Sequence, residues 1–135
     1  MSLMEWSQDY SVNVKEIDEQ HKNLIRMINE LHDAMVKGQG RSMVGKILSD
    51  MTEYAKKHFA TEERYMKKFN YPGYNAHHLE HERFVEKVST FKDDFDAHRL
   101  DLTIDVMNFL FDWLKNHILT VDKKFGPFFN YNGLT

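Results

Sequence analysis

A chain of 135 residues with 41% hydrophobic content is long enough to bury one core and too short for two, so one domain over 1–135 is expected. Cysteine is absent, which excludes disulfides, thiolate nucleophiles, Cys-ligated zinc and iron–sulfur clusters, and leaves only nitrogen and oxygen to hold a metal. A formal charge of -3, with acidic and basic residues interspersed, offers no basic stripe for phosphates, so nucleic acid is not expected as a partner.

The start, Met1-Ser2-Leu3-Met4-Glu5-Trp6, lacks the charged and apolar regions of a secretory signal, and nowhere do about 18 apolar residues run together. A soluble, cytoplasmic protein without a membrane partner is expected. Residues 1–17 read as an extended arm, with Tyr10, Val12 and Val14 alternating with polar residues and Trp6 and Ile17 as apolar anchors. Asp18 offers an N-cap for a first helix over about 18–37, whose stripe His21, Leu24, Ile28, Leu31 and Met35 runs to the stop Gly38-Gln39-Gly40.

A second helix over about 41–69 carries Val44, Ile47, Leu48, Met51, Ala55, His58, Glu62, Tyr65, Met66 and Phe69 on one face. The stripe is apolar except at His58 and Glu62, which need partners or a metal if buried. Asn70-Tyr71-Pro72-Gly73 signals a turn. A third helix, about 75–95, buries His77, His81, Phe84, Val88, Phe91 and Phe95, and turns His78, Glu82, Glu86 and Ser89 to a polar face. The polar stretch that holds His98 reads as a loop. A fourth helix, about 103–121, starts from Asp101 or Thr103 as cap and points Ile104, Met107, Leu110, Leu114, His117, Ile118 and Val121 inward. Phe125-Gly126-Pro127 is expected to end regular structure and leave a tail over 122–135. Four amphipathic segments joined by short loops predict an all-α, antiparallel up-down-up-down four-helix bundle.

Eight histidines make single H-x-x-x-H or H-x-x-x-E pairs unremarkable, at about half of one such pair by chance. The joint pattern is different: His21, His58-x-x-x-Glu62, His77-x-x-x-His81 and His117-x-x-x-x-Asp122 each fall on the apolar stripe of their own helix, and every helix contributes. The pair His78 and Glu82 has the same spacing on a polar face, where a solvated salt bridge is expected. On a regular helix five residues turn about 500°, so His117 and Asp122 share a face only if the helix ends or widens between them. Asp122 is expected just beyond the last regular turn, bending back. Five imidazoles and two carboxylates exceed the needs of one first-row ion. Two ions sharing the carboxylates as bridges would use them all and leave one coordination position open, a place for a small uncharged diatomic.

These motifs resemble the hemerythrin family, particularly its stand-alone bacterial members. The likeness runs through the arm Trp6 to Val14, Ile17-Asp18-Glu19-Gln20-His21, His58-Phe59-x-x-Glu62-Glu63, His77-x-x-x-His81 and Trp113-Leu114-x-x-His117-Ile118-x-x-x-Asp122. The resemblance implies two iron ions bridged by an oxo or hydroxo group, Glu62 and Asp122. His77, His81 and His117 would hold the saturated ion, and His21 and His58 the ion that binds dioxygen reversibly. It also implies an oxygen pocket at Leu24, Phe59, Trp113, Ile118 and Phe125; Phe125 stands where many members have tyrosine. The implied role is non-enzymatic: oxygen carriage, storage or delivery to an oxygen-consuming enzyme or redox partner, with oxygen or redox sensing or simple iron binding as alternatives.

Two other readings compete. His77-His78-Leu79-Glu80-His81 satisfies H-x-x-E-H, a zinc metallopeptidase signature with Glu80 as base, yet it leaves His21, His58, Glu62 and Asp122 unused. A metal-free structural or signalling bundle would treat the inward histidines as satisfied core residues, but with two buried carboxylates that costs several kcal/mol per unpaired charge. His32, on an outer face of the first helix, and His98 have no site role in any reading. Met27, Met35, Met51, Met66 and Met107 are core fillers.

Overall fold

The computed structural model describes residues 4–38, 40–97 and 103–135. Its helices are α1 (Lys15–Val36), α2 (Gly40–Lys68), α3 (Tyr74–Asp96), α4 (Thr103–Asn116) and α5 (Lys123–Tyr131), and a π-helical segment, His117–Asp122, joins the last two. Because α4, the π segment and α5 run on without a break, they form one long rod. With α1, α2 and α3 it makes the four-helix bundle that the stripes predict. His98, Asp101 and the side chains of Val44 and Thr103 lie outside what is described.

Packing follows the stripes. α1 lies against α2 and α4, and α2 lies against α3. Between α3 and α4 the contact is an aromatic seam, with Phe84 4.3 Å from Trp113 and Phe91 5.5 Å from Phe109 between ring centroids. The apolar residues divide into two clusters. The larger holds Leu24, Ile28, Leu48, Met51, Phe84, Val88, Leu110, Leu114 and Ile118. The smaller joins Val12, Val14, Ile17, Met66, Phe125 and Phe129. On α1, His21 falls between Ile17 of one cluster and Leu24 of the other; on α2, His58 and Glu62 fall between Ala55 and Met66. The polar stripe positions are therefore sandwiched between two dry layers.

Several boundaries differ from expectation, each for a local reason. The arm is not extended throughout, since Gln8–Tyr10 is a 3-10 turn capped by the Ser7 side chain. α1 begins at Lys15, so Asp18 is not its N-cap. Its carboxylate instead accepts from the Val12 backbone N–H at 2.8 Å and the Ser11 hydroxyl at 2.6 Å, tying the arm to the helix. The turn after α2 forms as the sequence predicts: Asn70 takes φ 57°, and the N–H groups of Tyr71 and Asn70 close onto the carbonyls of Met66 and Lys67. Ile104 points outward, 60% exposed, while Val106 is buried in its place.

The expected tail is helical. Gly126 and Pro127 disfavour a helix interior by about 1 and 3 kcal/mol. Phe125 and Phe129 are fully buried, however, and burying two such rings contributes about 3 to 6 kcal/mol, which decides the matter. Gly126 also lets the arm approach: a Cβ there would meet the Val12 carbonyl oxygen at 2.6 Å.

Candidate metal centre

Each helix delivers donors to one buried point. α1 brings His21, α2 brings His58 and Glu62, α3 brings His77 and His81, and the π segment brings His117 and Asp122. All seven are at most 3% exposed. One turn of regular helix aligns His58 with Glu62 and His77 with His81. The pair on the last rod needs the wider turn. The helix does not end after His117: the Lys123 N–H reaches the carbonyl of Ile118, five residues back. That i→i+5 closure puts Asp122 over His117, with Asp122 Oδ1 2.9 Å from His117 Nε2. Of the two arrangements that would bring the residues to one face, widening is the one the fold uses, and Asp122 lies inside the helix.

The donors sort into two groups that share both carboxylates: His77, His81 and His117 with Glu62 and Asp122, and His21 and His58 with the same pair. Within each group the donor atoms lie within 4.8 Å of one another. Each carboxylate splits its oxygens between the groups. Glu62 Oε2 faces His21 (3.5 Å) and His58 (3.3 Å), and Oε1 faces His81 (3.1 Å) and His77 (3.8 Å). Asp122 Oδ2 faces His21 (2.9 Å), and Oδ1 faces His77 and His117 (both 2.9 Å). Close as they are, none of these approaches has hydrogen-bond geometry, and all four oxygens are buried without a hydrogen bond. A protein core seldom tolerates that. Lone pairs that converge on common points rather than on each other's protons are the geometry of a cation site.

Electrostatics agree. Burial pushes the Glu62 and Asp122 carboxyls up, yet the surrounding imidazoles outweigh it and hold both well below the usual carboxylate range, so both are ionised. Burial pushes His21 down, but Asp122 and Glu62 raise it to about 9; His81 is raised to about 9 against the same penalty by Glu62 and Glu63. His58 is lowered, because burial outweighs Glu62 there.

Two residues that the motifs contain, but to which the sequence assigns no role, orient the rings. Gln20 Oε1 accepts from His58 Nδ1 at 2.7 Å, and Gln20 in turn donates to the Thr61 hydroxyl at 3.3 Å. Glu63 Oε2 accepts from His81 Nδ1 at 2.9 Å. Each bond places a proton on Nδ1 and leaves Nε2 as the nitrogen that faces the cluster. The only sequence signal is adjacency, since Gln20 precedes His21 and Glu63 follows Glu62.

Aromatic plates cover three of the rings. Phe59 stacks on His81 (3.8 Å, 6°), Trp113 on His117 (4.3 Å, 12°) and Phe125 on His77 (5.3 Å, 8°). Leu24 and Ile118, also expected to line a pocket, are buried in the larger apolar cluster. His78 and Glu82 make the expected surface pair at 2.9 Å. His32 is half-buried and belongs to neither group. Glu80, the base that a metallopeptidase would need, is in neither group and lines a groove with Asp112 and Asn116.

A family model described as the hemerythrin HHE cation binding domain matches residues 12–129. The chain belongs to the hemerythrin family. The bacteriohemerythrin of Methylococcus capsulatus is 38% identical over 128 residues, covering 94% of this chain and 97% of that protein. The bacteriohemerythrin of Stenotrophomonas maltophilia is 34% identical over 125 residues, covering 93% of this chain and 80% of that protein. A wild-type hemerythrin crystal structure superposes with a TM-score of 0.86 at 38% identity, covering 93% of this chain and 97% of that one. The hemerythrin fold thus carries the donor cluster in this chain, and no described helix is long and apolar enough to cross a membrane.

Proposed function

We propose that the cluster holds two iron ions, bridged by Glu62 and Asp122, and that the pair binds dioxygen reversibly, in a protein that carries, stores or delivers oxygen rather than transforming it. The observation that carries this reading is the division of the carboxylate oxygens, one from each carboxylate to each histidine group. A single ion would leave part of that donor set without a partner.

The residues fit such a pair. Four unbonded buried oxygens and inward-facing Nε2 atoms supply an all-nitrogen-and-oxygen donor set suited to iron. Iron held there would supply the electrons and the coordination position for dioxygen. His77, His81 and His117 would hold one ion and His21 and His58 the other, which, with one imidazole fewer, would be the one to take dioxygen. Glu62 and Asp122 offset the cationic charge where the low-dielectric surroundings would otherwise penalise it. Gln20 and Glu63 fix the tautomers of His58 and His81. Phe59, Trp113 and Phe125 cover one face each of His81, His117 and His77, and Leu24 and Ile118 add hydrocarbon from the larger apolar cluster. Phe125 brings no hydroxyl to the cluster.

The test is iron analysis together with optical spectroscopy. Two irons per chain, and a visible ligand-to-iron band that appears on adding oxygen to the anaerobically reduced protein and fades on degassing, are the expected results. One iron per chain, or irreversible bleaching at the first exposure, would overturn the reading.

A further inference from the structure

We propose that His78, a residue on the outer face of α3, is a positioning residue for the buried cluster and acts through Glu63 on His81. The inference rests on the metal reading above, since it assigns a handle to one of the proposed ligands. Sequence alone leaves His78 as half of a solvated pair with Glu82, and its side chain is 40% exposed. The structure gives its two nitrogens different partners. Nε2 faces Glu82 Oε1 at 2.9 Å, while Nδ1 donates to Glu63 Oε1.

Glu63 is the link. Its Oε2 accepts from His81 Nδ1 at 2.9 Å, and its Oε1 takes the His78 bond and a longer one from the Tyr74 hydroxyl at 3.3 Å. The Tyr74 ring stacks on His78 at 5.6 Å and 9°, which fixes the plane of the imidazole. A carboxylate on a long side chain has several rotamers and loses entropy when held in one. With Oε1 pinned by two donors from α3, Glu63 is left with Oε2 on His81. The bond to His81 sets the orientation and basicity of that ring, and partners of this kind typically change metal affinity about 10- to 100-fold. The chain of contacts thus runs from 62% exposed Glu82 through His78 and Glu63 to 2% exposed His81. Beside it lies a groove of about 430 Å³ whose wall includes Glu63, His78 and His81, so the side chains of this chain are reachable from outside.

Two substitutions separate the contacts at His78. An Asn amide nitrogen sits where Nδ1 does and can still donate to Glu63; a Gln amide nitrogen reaches where Nε2 does and can serve only Glu82. The measurements are cobalt(II) affinity by chelator competition and, in the metal-free protein, the downfield Nδ1–H resonance of His81, with the melting temperature as control. His78→Gln and His78→Phe are expected to weaken cobalt binding about tenfold and to broaden or shift the His81 resonance, with His78→Asn close to the parent in both. Melting should change little, because His78 is half-buried at the bundle surface, outside both apolar clusters. Glu63→Gln, which keeps an acceptor but loses the charge, should weaken cobalt binding at least as much as His78→Phe. If Glu63→Gln weakens binding and His78→Phe does not, or if Asn and Gln behave alike, the role of His78 is wrong while the metal reading stands. If neither the parent nor any variant binds cobalt at the cluster, the metal reading itself fails. The His81 resonance then still reports on the His78 contact.

Discussion

The two halves of the cluster are walled differently. On the three-imidazole side each ring lies flat against an aromatic plate: His81 on Phe59, His117 on Trp113, His77 on Phe125. On the other side, His21 and His58 meet edge-on at 4.7 Å, and His58 is only tilted toward Phe59. Each ring of the first half is thus covered on one face by an aromatic side chain. The second half has one imidazole fewer, and among the described residues no ring stacks on its histidines.

The largest expected effect follows from the shared carboxylates. Asp122→Ala removes a donor from both halves, and metal analysis after loading should show fewer than one iron per chain. His21→Ala touches only the two-imidazole half and should leave about one. Equal losses would erase the distinction between the halves.

Acidity separates metal-free from loaded protein. His21 and His81, raised from 6.5 to about 9, stabilise the metal-free fold fully below about pH 6.5, and that contribution is lost as pH rises through about 9. Glu62 and Asp122 are depressed, so their contribution is present above their ordinary values of 4.5 and 3.8 and is lost on acidification. Ligation needs neutral imidazoles, so binding at pH 7 should release about two protons, and affinity should climb up to about 100-fold per pH unit toward pH 9. Chelator competition across that range checks the slope; a flat profile would mean that His21 and His81 do not bind metal. The melting-temperature gain on loading should accordingly be larger near pH 9 than near pH 6.

The plates and the arm can be tested through stability. Phe125→Ala should cost about 3 to 5 kcal/mol in denaturant unfolding, since the ring is fully buried beneath His77. Gly126→Ala, whose Cβ would run into the Val12 carbonyl, should cost about 1 to 3 kcal/mol. A neutral Gly126→Ala would mean that the arm does not rest on α5. The smallest changes belong to two residues of the larger apolar cluster. Leu24→Val and Ile118→Val should each lose about 0.5 to 1.5 kcal/mol, keep both irons, and alter chiefly the lifetime of the oxygen adduct by flash or stopped-flow optics.

Most of the donor set is legible in the sequence because a helix repeats its face every three or four residues, and a histidine or carboxylate on an apolar stripe announces burial. Periodicity places the stripe of α4 slightly out of phase at Ile104, where one exposed apolar residue carries no local mark of its position. The helical tail is hidden because Gly126-Pro127 is a strong local stop signal, and the burial of Phe125 and Phe129 that overrides it involves the distant residues Val12, Val14 and Met66.

By itself the chain determined which residues could be donors and which helix carries each, because both follow from side-chain chemistry and short-range periodicity. Only the tertiary structure decided that His117 and Asp122 meet by widening the helix, that Glu62 and Asp122 divide their oxygens between two groups, and that Gln20 and Glu63 aim the rings. The last two outcomes depend on partners far apart in sequence, such as His21 with Asp122 and Gln20 with His58, whose approach is set by packing two dry layers around one polar point.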